Sequence, residues 1–223
     1  MNRKIITTAD GSKTIQIEDW NEQYHSIHGA INEANHVFIK HGLLYYFENV
    51  SKPKSMNILE IGFGTGLNAF LTFLKAEELH QTIDYVGVEA YPVSIDEISE
   101  LNYIELISKA HQLEFEKLHK VSWENQHEIT THFKLEKQKK FFKEIDSENS
   151  FDIIYFDAFG PRVQPELWTE DIFAIMFKAI IEKGVLVTYS AKGSVRRAMQ
   201  AVGFKVERLP GPPGKREMLR AHK

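Results

Sequence analysis

The chain has no cysteine in its 223 residues, which excludes disulfide staples, thiol nucleophiles and cysteine-ligated zinc or iron–sulfur centres. It has no apolar run near the length of a membrane span. Met1-Asn2-Arg3-Lys4-Ile5-Ile6-Thr7 also opens without the apolar stretch and cleavage site of a secretory leader. A cytoplasmic protein with no membrane partner is therefore expected. Net positive charge is missing too: the balance of −4 argues against broad nucleic-acid binding, which rests on neutralising phosphates. No internal repeat or low-complexity tract interrupts the chain. With 43% hydrophobic residues, one α/β domain of ordinary size plus an appendage remains.

Charge is unevenly spread. From Ala191 onward nine basic residues (Lys192, Arg196, Arg197, Lys205, Arg208, Lys215, Arg216, Arg220, Lys223) face two acids, Glu207 and Glu217, a local +7 that leaves −11 elsewhere. An acidic body with a basic end can aim a polyanion at one face, and the plainer alternative is solvated charge on a helix and a tail.

The stretch around which the chain is organised is Asn57-Ile58-Leu59-Glu60-Ile61-Gly62-Phe63-Gly64-Thr65-Gly66-Leu67-Asn68. A short apolar run suits a buried parallel strand, three alternating glycines suit a tight turn, and the residues from Leu67 have helical character. Glycines there permit positive φ and let a flat ligand lie on main-chain atoms. The dinucleotide fingerprint G-x-G-x-x-G needs glycine at position 67, where leucine stands. The spacing Glu60-x-Gly62-x-Gly64-x-Gly66 instead resembles the first motif of class I S-adenosylmethionine (SAM) methyltransferases. A plain tight turn is the alternative. A second buried strand, Ile83 to Val88, ends at Glu89, about 20 residues past the loop, where α/β nucleotide folds place an acid on ribose hydroxyls.

Two β-rich runs flanking Asp10-Gly11 predict a hairpin, and Ile31, Ala34, Val37 and Phe38 predict a helix over 31–47. His25 and His28 lack a third ligand at suitable spacing, so satisfied or solvent-exposed histidines are expected rather than a metal pair. Ser51-Lys52-Pro53-Lys54 marks the joint into the first core strand. Apolar residues between Ser94 and Lys120 recur at helical intervals, and a strand is expected at His132–Glu136. Phe151 to Phe156 reads as the next strand. It ends at Asp157-Ala158-Phe159-Gly160-Pro161, on the edge where open α/β sheets hold ligands. A strand at 184–190, a helix at 195–202 closed by Gly203, and two terminal strands around Pro210-Gly211-Pro212-Pro213-Gly214 complete the pattern.

Beyond the glycine loop, the chain resembles the methyltransferase component of the bacterial MnmC enzymes, found alone as MnmD. The resemblance runs through Asp10-Gly11-Ser12, Tyr24-His25-Ser26 with Gly29-Ala30, His36-Val37-Phe38 and Glu60 to Asn68. It continues through Asp157-Ala158-Phe159-x-Pro161 with Pro165-x-x-Trp168, Thr188-Tyr189-Ser190-Ala191, Val195-Arg196-Arg197, Gly203-Phe204 and Lys215-Arg216-Glu217-Met218-Leu219. It implies a Rossmann-like α/β fold: a seven-stranded, mostly parallel sheet with one antiparallel strand. An N-terminal hairpin and helix extension takes 1–50 and the methyltransferase domain 51–223. It implies SAM-dependent methylation of the aminomethyl group of 5-aminomethyl-(2-thio)uridine at the wobble position of tRNA, with neither metal nor flavin.

By the same resemblance, Glu60, Gly62, Phe63, Gly64, Thr65, Gly66, Asn68, Glu89 and Asp157 hold SAM. Tyr24, Phe159, Pro161, Arg196, Arg197, Lys215 and Arg216 meet the anticodon loop, with Trp168 either a stacking ring or core. Asp157 is the candidate catalytic acceptor for the amine proton, or else a ligand of the methionine amino group of SAM. Two departures stand out. Glu136-Lys137-Gln138 replaces a Gly-Asp-Ala-like segment whose acid lies near adenine, and the flavin-binding half of the bifunctional enzymes is not in this sequence. A separate oxidoreductase or upstream wobble-modification enzyme is then expected to supply the aminomethyl arm. Two other readings use the same glycine loop: a small-molecule amine methyl- or aminopropyl-transferase, and a nucleotide binder without catalysis.

Overall fold

The computed structural model describes residues 2–49 and 53–223. The expected joint at Ser51-Lys52, and with it the division at 50/51, lies outside the described residues.

Strands β1 (Arg3–Thr7) and β2 (Lys13–Ile17) form the expected antiparallel hairpin, with Ile5 opposite Ile15. The Asp10 carboxylate closes the turn by accepting from Thr8 Oγ1 at 2.8 Å and the Ser12 amide at 3.1 Å. The hairpin gains a third strand, β3 (Glu22–Gln23), because Asn21 turns left-handed at φ 45° and returns the chain along β2. That return carries Tyr24 against the core, with Trp20 just ahead of the turn.

Helix α1 (Ala30–Ala34) runs into a π-wound stretch (Asn35–Leu44) and α2 (Tyr45–Asn49). Its buried face holds Ala34, Val37 and Phe38. It lies against the sheet so closely that a Cβ on Gly42 would stand 3.0 Å from Val187 and 3.1 Å from Tyr155.

The core then alternates strand and helix: β4 (Ser55–Ile61), α3 (Leu67–Leu79), β5 (Thr82–Val88), α4 (Ile95–Ser99), α5 (Tyr103–Ile107), α6 (Gln112–Lys120). It continues with β6 (Gln126–Thr130), β7 (Phe133–Gln138), β8 (Phe151–Phe156) and α7 (Glu170–Ala179). Last come β9 (Ile180–Thr188), α8 (Gly193–Ala201), β10 (Lys205–Pro210) and β11 (Glu217–His222). The sheet order is β10-β11-β9-β8-β4-β5-β7-β6.

The Rossmann-like class holds, but the sheet has eight strands rather than seven, and two are reversed. β11 runs against β9 as expected, and β6 also runs against β7. β6 escaped the sequence pattern because it is a polar edge strand, Gln-His-Glu-Ile-Thr, with only Ile129 buried.

Central strands are apolar on both faces. In β8 all six residues are buried, with Ile153 and Tyr155 facing α3 and the π-wound helix while Ile154 and Phe156 face α7 and α8. β4 pairs with β5 on one side and β8 on the other. The chain departs from β4 in both directions, so its carboxyl end is the switch point where such sheets hold ligands.

Candidate active site

At the end of β4 the amides of Gly62 and Phe63 both bond the Val88 carbonyl, at 3.0 and 3.1 Å. Gly62 has φ +91°, and a Cβ there would lie 2.7 Å from the Asp157 carbonyl oxygen; at Gly64, φ +49°, it would lie 3.1 Å from the Tyr24 ring. The two glycines therefore let the loop pass under Tyr24 and against Asp157. Gly66 precedes α3 and offers its first-turn amides no side-chain cap.

Asn68, one residue into α3, joins two carboxyl groups. Its Nδ2 donates to Glu60 Oε1 at 2.9 Å and to Asp157 Oδ2 at 2.8 Å. Burial raises the Glu60 pKa well above the usual carboxylate range, and Asp157 adds to it. Asp157 reaches about 7, first through burial and then through the Glu33 charge, against the pull of the Asn68 hydrogen bond and Lys215. Glu89 accepts from the Gly64 amide at 3.1 Å and the Tyr91 amide at 2.9 Å, one on each oxygen. Each oxygen keeps a lone pair for a bidentate contact with a ribose.

A cavity of about 980 Å³ gathers Tyr24, Gly62, Phe63, Gly64, Thr65, Asn68, Glu89, Asp157, Phe159 and Lys215 along its walls. Glu60 and Gly66 stand behind them. Phe63 and Thr65 also pack inward, Phe63 against Gly87 and the Thr65 hydroxyl 3.2 Å from that of Tyr103. Phe159 meets Tyr24 edge-on at 4.9 Å and Trp20 at 5.7 Å. Its loop is pinned twice: Trp168 Nε1 donates to the Phe159 carbonyl and the Tyr189 hydroxyl to that of Ala158, each at 2.8 Å. Trp168 is 5% exposed and so belongs to the core. Burial pushes the Tyr24 hydroxyl up to about 12, against Arg3, so this phenol stays neutral.

The basic residues divide. Pro161 and Arg216 line a neighbouring groove of about 510 Å³ with Lys192, whereas Arg196 and Arg197 lie outside both on α8. Lys215 borders groove and cavity alike but does not point at solvent as a phosphate contact would. Its Nζ bonds Glu33 Oε1 and stands 3.8 Å from the Tyr189 ring centroid. The contact joins residues 182 apart in sequence, which no local pattern signals. Glu33 was not among the sequence candidates, although an acid on the stripe of Ala30, Ala34 and Val37 was the available signal.

His25 is a satisfied core residue, Nδ1 lying 3.1 Å from Thr14 Oγ1, and burial drops its pKa to about 4. His28 is exposed. Among the described residues no group of three acids or histidines is placed to hold a metal, and no helix is long and apolar enough to cross a membrane. Where the resemblance placed an acid near adenine, Lys137 is 1% exposed and donates to the His119 carbonyl at 2.7 Å, burial lowering its pKa to about 8. Tyr91, Phe141 and Phe142 line that end of the cavity instead.

A glycine loop and a ribose-type acid at the switch point of a doubly wound sheet define a nucleotide-dependent enzyme of the Rossmann-like kind. The chain belongs to the family described as S-adenosyl-L-methionine-dependent methyltransferases, whose profile matches residues 99–223. That span includes Asp157 and the terminal hairpin and begins after the glycine loop. The protein from Hydrogenovibrio crunogenus named tRNA 5-methylaminomethyl-2-thiouridine biosynthesis bifunctional protein MnmC is 27% identical over 96% of this chain and 33% of its own length. The protein of the same name from Polaromonas naphthalenivorans is 31% identical over 89% and 32%. The chain thus spans about a third of these relatives. The crystal structure of MNMC2 from Aquifex aeolicus superposes with TM-score 0.80 at 28% identity, covering 99% of this chain and 70% of that one. A spermidine synthase from Thermotoga maritima, TM-score 0.57 at 15% identity over 100% of this chain and 73% of that one, shares the fold.

The residues present fit the family's donor. The loop is a cradle that side chains would fill, and Asn68 Oδ1, buried beside it, has no partner among the described residues. A buried acceptor of that kind suits an ammonium group.

Proposed function

We propose that the protein methylates the aminomethyl nitrogen of 5-aminomethyl-(2-thio)uridine at the wobble position of tRNA, giving the 5-methylaminomethyl form. The observation that carries this reading is Asp157, a carboxyl with its pKa raised to about 7 on the wall of a cavity with room for donor and nucleoside. The acceptor's identity is supported by the likeness to proteins named for 5-methylaminomethyl-2-thiouridine synthesis, which extends over 89–96% of this chain.

An alkylamine is protonated at neutral pH and must lose a proton before it can attack. Asp157 takes that proton; near pH 7 it is partly ionised, the condition under which a general base serves best, typically about 10²–10⁴-fold in rate. Asn68, bonded to Asp157 Oδ2, holds the carboxyl in place. Gly62–Gly66 and Glu89 would hold S-adenosylmethionine, which would supply a methyl carbon on a sulfonium and leave as S-adenosylhomocysteine once the nitrogen lone pair takes that methyl. Positioning the amine in line with it is worth roughly 7–11 kcal/mol. Tyr24 and Phe159 offer ring faces to a base splayed from a single-stranded loop. Lys192, Arg216 and the α8 arginines meet the phosphates. The enzyme works in the cytoplasm, and a separate oxidoreductase or upstream enzyme supplies the aminomethyl arm.

The test is transfer of labelled methyl from SAM to bulk tRNA from cells lacking the modification, with free polyamines in parallel. Label should appear in tRNA alone, and Asp157→Ala should lose at least about 10²-fold in rate. Label in polyamines with none in tRNA overturns the proposal.

A further inference from the structure

A primary ammonium already sits in this cavity, and it belongs to the chain. Lys215, in the turn between β10 and β11, lays its Nζ on Glu33 Oε1 and 3.8 Å from the Tyr189 ring centroid. The Glu33 side chain is 8% exposed, and its Oε2 accepts from the Ser26 amide at 2.9 Å, so the carboxylate has one orientation. The Tyr189 ring is held by its own hydrogen bond to the Ala158 carbonyl, one residue from Asp157. Glu33, Tyr189, Lys215 and Asp157 line the same cavity as the glycine loop. A fixed carboxylate beside an aromatic face is a receptor for an alkylammonium.

We propose that Glu33 and the Tyr189 ring form the subsite for the acceptor's primary ammonium, and that Lys215 fills it until the acceptor displaces it. The inference rests on the aminomethyl reading above. Lys215 ends in CH₂–NH₃⁺, as the aminomethyl arm does, so the subsite already fits the group it would receive. A buried carboxylate left without a counter-charge is costly, and an intramolecular cation keeps the waiting subsite neutral. When the acceptor's ammonium enters, the charge at Glu33 is unchanged. Lys215, 29% exposed and on a flexible four-carbon stem, is freed toward the groove that Arg216 and Lys192 line, where an incoming polyanion brings its phosphates. A salt bridge that only tied the terminal turn to α1 would not distinguish acceptors with and without the ammonium.

That difference is the test. Binding of two tRNAs, one carrying the aminomethyl arm and one with unmodified uridine at the wobble position, is measured on the full chain with S-adenosylhomocysteine, alongside KM and kcat. The wild type should prefer the arm. Glu33→Gln should reduce that preference about tenfold, the scale of one lost hydrogen bond between charged groups, and raise KM more than it lowers kcat. Lys215→Met should widen the preference severalfold by removing the competitor. Should Glu33→Gln fail to fold, the Lys215→Met result decides alone. An equal loss on both tRNAs in Lys215→Met, or a preference that neither variant alters, overturns the subsite while the function stands. No methyl transfer by the wild type to the arm-bearing tRNA overturns both.

Discussion

Replacing Asp157 by asparagine should remove a pH dependence of stability that runs opposite in sign to that of the buried histidines. A carboxyl whose pKa rises on folding binds its proton more tightly in the native state, so its contribution is greatest below the unfolded value and is lost as pH rises through the folded one. For Asp157 those limits are 3.8 and about 7. At about 1.4 kcal/mol per pH unit, the wild type should lose roughly 4 kcal/mol across that window relative to the variant. His25 and His119, lowered to about 4 and about 3 by burial, act the other way: their contribution is present above 6.5 and lost as pH falls. Both histidines remain in the two proteins and drop out of the difference, whereas Glu60, which Asp157 helps to raise, shifts down in the variant and adds to the difference in the same sense. The assay is urea unfolding of wild type and Asp157→Asn from pH 4 to pH 8 without ligand. The two should be comparable near pH 4, with the variant the more stable at pH 8 and inactive, since an amide accepts no proton. Parallel stability curves would refute the raised pKa and the proton-accepting role resting on it.

Gly62→Ala should cost SAM affinity at least about tenfold by calorimetry, because φ +91° and an Asp157 oxygen 2.7 Å from the new Cβ force the loop to move; undiminished affinity would separate the loop from the donor. Lys192→Ala with Arg216→Ala should weaken tRNA binding for every sequence and lower the slope of log affinity against log salt by about 1 per residue. An unchanged slope would remove the groove from the RNA path.

Legibility in the sequence followed burial. β4, β5 and β8 were readable because they lie inside the sheet and each is a short, largely apolar run broken by one to three polar residues. β6 and β3 were not: the first is a polar edge strand and the second is two residues long, placed by a left-handed Asn21 rather than by any periodicity. The glycine loop, Glu89 and Asp157 were readable because spacing along the chain dictates their meeting at one sheet edge. The inward turn of Lys215 was not, because a lysine beside an arginine in a Gly-Pro turn has the local character of solvated charge. Only the tertiary fold brings Glu33 to it.

The division of labour in the cavity follows from the same topology. The parallel core supplies the glycine loop, the ribose-type acid and Asp157, all at strand ends that any doubly wound sheet brings together. Trp20, Tyr24 and Glu33 come from the segment before β4, and Lys215 from the hairpin after β9. On the proposed reading, donor chemistry belongs to the sheet and acceptor choice to what is appended at its two ends. Exchanging the segment 20–33 should accordingly change which amine is taken before it changes whether SAM is bound.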